Sequence, residues 1–227
     1  IDTVPVGNLK DWKHDPFHAV VEDGKLYGRG AADMKGAVAA FTVAAHRYAV
    51  ENGKNFAGDV YVAGVVHEEC FEGVAARKIS EKVKPDYVVI GEASEMNLKV
   101  GQRGRAEIVV ETFGVPAHSA NPEKGVNAVY KMCEAIQAIR EIEPPVQDKL
   151  GKGILELTDV KSSPYPGASV VPEYCRATYD RRLLVGETKE SVFQPIIEKM
   201  EELKKKDPQF SYKVSYAVGK EECYTGE

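Results

Sequence analysis

The chain has 227 residues, of which 43% are hydrophobic and 29% charged, and its formal net charge is -5 at pH 7. Its apolar runs never approach the roughly 20 residues that a membrane helix needs, so we predict a soluble globular protein without a membrane partner. Lys and Arg are scattered and the balance is acidic, which argues against a nucleic-acid partner and favours a small-molecule substrate.

The four cysteines, Cys70, Cys133, Cys175 and Cys223, are far apart and form no C-x-x-C pair. A disulfide framework is therefore not expected, and a reducing cytoplasm is the predicted location. We interpret Cys70, which follows a pair of glutamates, as a small buried residue.

The first hundred residues alternate helix and strand signals. Helices are predicted over 34–50, which is rich in Ala and Val, and over 73–83. Residues 60–66 and 86–90 are short, nearly all-apolar runs of the kind expected for parallel strands buried on both faces. This alternation predicts an α/β domain built on a mainly parallel sheet, with its sites at the carboxyl ends of the strands.

From about residue 105 the order of predicted elements becomes β-α-β-β-α-β, which is that of a ferredoxin-like α+β unit. The predicted strands cover 105–113, 153–160, 170–183 and 210–218, and the predicted helices cover 122–142 and 189–206. We therefore divide the chain into domains 1–103 and 104–218, and we expect residues 219–227 to return toward the first domain.

Four acidic residues follow these predicted strands and turns. Asp33 lies between a Gly-rich turn and a helix, Glu68 and Glu69 follow the first apolar run, and Glu92 follows the second. Each has an ordinary alternative, since Asp33 can be a helix N-cap and the glutamates can be loop charges. Repetition at one sheet edge favours divalent cations, because two ions about 3.5–4 Å apart can clamp a carbonyl and activate a water. A carboxylate that does not bind metal can then serve as the general base.

Several motifs occur in a fixed order along the chain. They are IDTVP at 1–5, WKHDPF at 12–17, GRGAADMKG at 28–36, EE at 68–69, GE at 91–92, the segment 114–125 with HS at 118–119, and DRR at 180–182. The ordered set closely resembles the co-catalytic zinc hydrolases that include aminoacylase, acetylornithine deacetylase, succinyl-diaminopimelate desuccinylase and glutamate carboxypeptidase. The segments 101–105 and 180–188 look most like a subgroup linked to selenium metabolism.

This resemblance implies part of a zinc-peptidase catalytic domain joined to a ferredoxin-like lid and dimerisation domain. Asp33 resembles the carboxylate that bridges two zinc ions, and Glu69 and Glu92 resemble their terminal ligands, with Co²⁺ or Mn²⁺ as alternative metals. Glu68 resembles the general base that takes a proton from the bridging water. Asp2 resembles the acid behind a metal-binding histidine, whose imidazole it orients.

Two residues of the second domain resemble further parts of the family's site. His118 resembles the histidine that reaches a neighbouring subunit's active site and stabilises the oxyanion, which implies a homodimer. Its alternative is a surface-loop histidine. Arg182 resembles the arginine that grips the substrate carboxylate with its bidentate fork. Its alternative is a strand-edge arginine paired with Asp180.

The predicted function is hydrolysis of an amide bond in an N-acyl amino acid or a short peptide with a free carboxylate. The alternatives are a ureido-acid amidohydrolase and a non-catalytic dimerisation module. The resemblance places one metal-binding histidine immediately before Ile1 and another beyond Glu227. We therefore expect residues 1–227 alone to bind zinc poorly and to be inactive.

Overall fold

The computed structural model describes residues 1–53, 55–69 and 73–217. The chain divides into two compact units, Ile1–Lys99 and Val100–Glu227. Cys70, Cys223, the predicted strand end at Val218 and the expected return of residues 219–227 lie outside the described residues.

The described residues of the first unit form one hairpin and two α-helices. Strand β1 (Val20–Glu22) pairs antiparallel with β2 (Lys25–Tyr27). Asp23 and Gly24 between them have φ of 50° and 73°, the left-handed conformation that a two-residue hairpin loop requires. Helices α1 (Gly36–Glu51) and α2 (Val74–Val83) confirm the two predicted helices. Short helical turns also form at Leu9–Asp11 and Ala31–Lys35.

The two strands predicted in this unit are not found. Neither 60–66 nor 86–90 is assigned to a strand, and all sheet pairings among the described residues are antiparallel. Their apolar side chains are exposed, with 63% of Tyr61 and 77% of Val89 accessible to solvent. A strand needs a hydrogen-bonded neighbour on at least one side, and the described residues supply none to these runs.

The second unit has the predicted β-α-β-β-α-β order. Its main elements are β3 (Gly104–Phe113), α3 (Ala128–Arg140), β7 (Ile154–Ser163), β9 (Tyr174–Leu183), α4 (Lys189–Lys206) and β10 (Ser211–Tyr216). Two short antiparallel pairs lie outside the main sheet: β4 (Ala117–His118) pairs with the distant β8 (Val170–Val171), and β5 (Val146–Gln147) forms a hairpin with β6 (Gly151–Lys152). The four long strands form one antiparallel sheet in the order β10-β3-β9-β7. This arrangement confirms the ferredoxin-like prediction.

The hydrophobic core of the described residues lies in this second unit, between the sheet and its two helices. Alternate residues of β3 point toward the helices, and Ile108 and Val110 are fully buried there. Helix α4 contributes Val192, Ile196 and Met200, whose spacing of four residues places them on one helix face. One sheet face is thus packed and the opposite face carries the polar residues of each strand.

Two predicted boundaries in this unit were wrong. Helix α3 begins at Ala128 and not at residue 122, because Asn127 caps it by accepting hydrogen bonds from the backbone nitrogens of Val129 and Tyr130. Residues Pro122–Lys124 form a separate short helical turn. The strand predicted over 170–183 is divided into β8 and β9, and Pro172, which has no N–H to donate, lies between them.

Of the helices in the described ranges, none combines the length and apolar character that spanning a bilayer requires.

Candidate active site

Asp2 ties the start of the chain to the glutamate pair. Its Oδ1 accepts a hydrogen bond from the backbone nitrogen of Glu68 at 3.2 Å, and its Oδ2 accepts one from Glu69 at 3.3 Å. Beside them, the main-chain nitrogen of Ile1 donates to the carbonyl oxygen of Val65 at 2.6 Å. Asp2 and the pair Glu68–Glu69, which are more than sixty positions apart in the sequence, are therefore neighbours in the structure.

Gly91 brings the segment of Glu92 against helix α1. A Cβ at this position would lie 2.7 Å from Cβ of Ala37 and 2.8 Å from the ring of Phe41, which is closer than real carbon atoms approach. Only glycine fits here without displacing the helix or the strand-like segment. The motif Gly-Glu thus has a packing reason for its glycine.

The turn before α1 positions Asp33. Gly30 has a left-handed φ of 83°, and a Cβ there would lie 2.6 Å from Cγ2 of Thr3. The backbone nitrogen of Lys35 donates to the carbonyl oxygen of Gly30 at 2.8 Å and closes the turn. The N-cap residue of α1 is Lys35, with no side-chain cap, so the alternative interpretation of Asp33 as a helix cap is wrong. The Asp33 side chain is exposed, and the Asp33–Met34 peptide bond is cis.

The predicted carboxylates share one electrostatic neighbourhood. The pKa of Glu68 is raised above its ordinary value, first by partial desolvation and then by the negative charges of Glu69, Glu92, Asp2 and Asp33. Each of these residues is therefore near enough to repel the Glu68 charge. The structure brings together the five acidic residues of the first unit that sequence reasoning selected.

Asp2 behaves differently from Glu68 because of its hydrogen bonds. Partial burial acts to raise the pKa of Asp2, but the backbone N–H groups of Glu68 and Glu69 and its own N–H stabilise the charged form and bring the pKa below its ordinary value. Asp2 is thus an ionised anchor for the glutamate pair.

The donors around Glu68 suit a divalent cation in kind, since carboxylate oxygens are ligands that zinc, cobalt and manganese accept. Within the described residues, no group of three or more His, Cys, Asp or Glu side chains is placed to hold an ion. Asp33, Glu69 and Glu92 therefore fit a metal by their chemistry and charge, while their spacing is that of neighbours and not of a preformed ligand shell.

His118 lies in the second unit, in strand β4, where it pairs with Val170 of β8. Its side chain is exposed, and its Nδ1 accepts a hydrogen bond from the backbone nitrogen of Ala120 at 3.1 Å. Because Nδ1 is an acceptor, the neutral ring carries its proton on Nε2. The Nε2–H of His118 is therefore available as a donor, and His118 lies on a two-residue strand.

Arg182 lies on β9, which is an interior strand and not an edge strand. The expected pair with Asp180 is present, because Nε of Arg182 donates to Oδ2 of Asp180 at 2.7 Å. Oδ1 of the same carboxylate accepts from Nε of Arg105 at 2.5 Å. Sequence reasoning missed Arg105, whose proximity depends on the register between β3 and β9.

Residues 1–168 match the sequence profile of Peptidase family M20/M25/M40. The chain belongs to this family. The match covers the first unit and the motifs around the clustered carboxylates, and it confirms the resemblance to the zinc hydrolases.

Curated relatives of this M20 chain include the uncharacterized protein YgeY of Escherichia coli K12, which is 34% identical over 200 residues, or 86% of this chain and 49% of the relative. The succinyl-diaminopimelate desuccinylase of Marinobacter nauticus is 32% identical over 207 residues, or 86% of this chain and 54% of the relative. The chain thus spans about half the length of these relatives. The selenium-linked subgroup stays a prediction.

Among solved structures, human carnosine dipeptidase 1 matches 95% of this chain and 59% of its own, with a TM-score of 0.61 and 20% identity. Aminopeptidase PepT from Bacillus cereus matches 89% of this chain and 53% of its own, with a TM-score of 0.55 and 20% identity. At this identity the likeness shows the fold alone. It confirms the predicted fold class, an α/β part followed by a ferredoxin-like unit.

Proposed function

We propose that the protein is a metal-dependent hydrolase that cleaves an amide bond in a small substrate bearing a carboxylate. The observation that carries this proposal is the convergence of Asp2, Asp33, Glu69 and Glu92 on Glu68. Membership of the M20 family supports it, as do a desuccinylase among the relatives and a dipeptidase among the fold neighbours.

In this proposal Asp33, Glu69 and Glu92 would hold two zinc ions, or cobalt or manganese in their place. When bound, the metals would polarise the scissile carbonyl and make water more acidic. Glu68, which is not among the proposed ligands, takes a proton from the attacking water and transfers it to the leaving nitrogen. Asp2 fixes the backbone of the glutamate pair through its two hydrogen bonds.

His118 and Arg182 complete the proposed machinery from the lid unit. The Nε2–H of His118 donates to the oxyanion that forms on the carbonyl, in the active site of a second subunit. Arg182 binds the substrate carboxylate through its guanidinium. Both assignments follow the family resemblance, and the hydrogen bonds to Ala120 and Asp180 support them by fixing each side chain.

A homodimer through the lid is part of the same proposal. Strand β7 is the end strand of its sheet, and long strand edges are templates for pairing. A register irregularity between Leu157 and Asp159 places Glu156 and Lys161 on the same face of β7. Two-fold antiparallel pairing of β7 with its copy can therefore set Glu156 opposite Lys161 twice, which favours this pairing electrostatically. Light scattering tests it: Glu156→Lys should weaken the dimer, and adding Lys161→Glu should restore it. A dimer untouched by Glu156→Lys would contradict this interface.

The hydrolase proposal is tested by assaying the full-length protein with zinc, cobalt and manganese against acyl amino acids, dipeptides and ureido acids. Glu68→Ala should reduce turnover by about 10²-fold or more, since it removes the base. Glu81→Ala, which removes an exposed helix carboxylate, is the matched control. Activity that survives Glu68→Ala would sink the mechanism.

The same assay separates the alternatives. Release of ammonia and carbon dioxide from ureido acids alone would favour the carbamoyl amidohydrolase, while a stable dimer with no hydrolysis would favour a non-catalytic module. For residues 1–227 alone we predict weak zinc binding and no activity. Two tight sites in a calorimetric titration would contradict that prediction.

A further inference from the structure

Two arginines face each other across the centre of the lid sheet. The register of β3 and β9 makes Arg105 and Arg182 direct cross-strand partners on the face opposite the helices. Like charges in directly opposed positions destabilise a sheet. The Asp180 carboxylate compensates them, because Oδ1 accepts a hydrogen bond from Nε of Arg105 at 2.5 Å and Oδ2 accepts one from Nε of Arg182 at 2.7 Å.

The contact with Asp180 uses only one edge of the Arg182 guanidinium. Its Nε side is occupied, and the side chain is 42% exposed. Within the described part of the chain, Nη1 and Nη2 of Arg182 have no hydrogen-bond partner. These two nitrogens form the planar fork that binds a carboxylate with two parallel hydrogen bonds.

The surroundings of Asp180 favour its charged form. Its side chain is only 16% exposed. This burial acts to raise the pKa of Asp180, but the hydrogen bonds and charges of Arg105 and Arg182 outweigh it and hold the pKa below its ordinary value. Two further carboxylates of this face, those of Glu107 and Glu156, lie opposite Asp180 on the two neighbouring strands.

We propose that Asp180 is a positioning residue: anchored by Arg105, it fixes Arg182 with its Nη1–Nη2 edge directed to a substrate carboxylate. This inference rests on the proposed role of Arg182 in substrate binding. A long arginine side chain samples many rotamers in solution, and an anchored fork loses less freedom when the carboxylate binds. The arrangement selects a planar carboxylate over a group that accepts only one hydrogen bond.

The test is an NMR titration of the full chain with succinate as the probe, following the Nε–H signals of Arg105 and Arg182. Asp180→Asn should weaken succinate binding by about tenfold, because it removes the charge and one of the two acceptor arms. Asp180→Glu should restore most of the affinity. Glu111→Gln is the matched control, since it removes a carboxylate from the same face that bonds Tyr174 instead.

Wild-type affinity in Asp180→Asn, or an equal loss in Glu111→Gln, would overturn the proposal. If Asp180→Asn does not fold, Arg105→Ala decides: weaker binding supports the anchor, and unchanged binding rejects it. In turnover by the full-length enzyme, Asp180→Asn should raise KM and leave kcat, as expected for lost uniform binding.

Arg182→Gln separates failure of this inference from failure of the proposed function. If Arg182→Gln abolishes succinate binding while Asp180→Asn does not change it, only the positioning role is wrong. If Arg182→Gln leaves binding unchanged, the substrate role of Arg182 is wrong, and the positioning role fails with it.

Discussion

Asp2 and Glu68 are 66 positions apart in sequence and are joined by a hydrogen bond of 3.2 Å from the backbone nitrogen of Glu68 to Oδ1 of Asp2. The second oxygen of Asp2 accepts a hydrogen bond from the backbone nitrogen of Glu69. The Asp2 carboxylate thus fixes the backbone from which the side chains of Glu68 and Glu69 extend. One of these we assign as the base and the other as a metal ligand.

We predict that Asp2→Asn loosens this segment. An amide side chain keeps one acceptor oxygen and directs an NH₂ group toward a backbone donor, so one hydrogen bond is lost. Amide hydrogen exchange at Glu68 and Glu69 should accelerate by about threefold to tenfold. Asp11→Asn, at an exposed position of the same unit, should leave both rates unchanged. Equal exchange rates in the Asp2→Asn and wild-type chains would contradict the anchoring role.

The sequence contains enough local information to predict much of the lid. The charged, amphipathic pattern of residues 189–206 predicts helix α4 over its full length, and the structure adds a capping box between Thr188 and Ser191 at its start. The start of α3 was missed because the cap at Asn127 lies inside a longer run with helical character. In the first unit, apolar residues such as Val89 indicated burial, but burial of a strand depends on neighbours that a local pattern does not specify.

The candidate site shows the same division between local and distant information. Asp33, Glu68, Glu69 and Glu92 could be selected from motifs, because each follows its own turn or apolar run. Arg105 could not, because its contact with Asp180 exists only through the pairing of two strands far apart in sequence. Cross-strand register is set by the whole sheet and not by either strand alone.

We predict that Gly91→Ala displaces the segment of Glu92 from helix α1. The added Cβ would overlap Ala37 and Phe41, so the free energy of unfolding should fall by about 1–3 kcal/mol, as for other overpacked sites. Urea unfolding measures this change. The control is Gly28→Ala, whose Cβ would meet only the carbonyl oxygen of Pro16 at 3.5 Å. A loss of stability as large in Gly28→Ala would show that close packing is not the cause.

We predict that the second unit loses stability in acid because Asp207 becomes protonated. The side-chain hydrogen bond from Lys131 and the backbone N–H of Gln209 hold the pKa of Asp207 below its ordinary value of 3.8. The unfolded chain therefore binds this proton more tightly than the folded one, so the stabilisation is complete above 3.8 and is lost as pH falls through the lowered pKa. The free-energy advantage of wild type over Asp207→Asn should accordingly be largest near neutral pH and shrink in acid.

Urea unfolding at a series of pH values measures this dependence. Asp148→Asn, which removes an exposed carboxylate of the same unit, should run parallel to wild type over the acid range. A constant difference between wild type and Asp207→Asn at every pH would show that the ion pair with Lys131 does not carry the effect.

Removal of the hydroxyl group should affect the free energy of unfolding differently for two tyrosines of the second unit, Tyr179 and Tyr212. Tyr179 is 3% exposed, and its hydroxyl has no hydrogen-bond partner among the described residues. The hydroxyl of Tyr212 donates to Oε1 of Glu201 at 2.6 Å. A buried hydroxyl without a partner costs desolvation energy, so Tyr179→Phe should be neutral or stabilise the fold by about 1 kcal/mol. Tyr212→Phe should destabilise it by about 0.5–1.5 kcal/mol, because a formed hydrogen bond is lost.

Thermal and urea unfolding of the two variants give both signs in one experiment, and each variant serves as the control for the other because the chemical change is identical. Destabilisation of Tyr179→Phe by as much as Tyr212→Phe would show that the Tyr179 hydroxyl has a partner, such as a buried water. Burial alone raises the pKa of Tyr179. The pKa of Tyr212 is raised to about 12 by burial and by the hydrogen bond to Glu201. Opposite signs for the two variants would therefore show that a buried tyrosine hydroxyl stabilises this fold only where it has a hydrogen-bond partner.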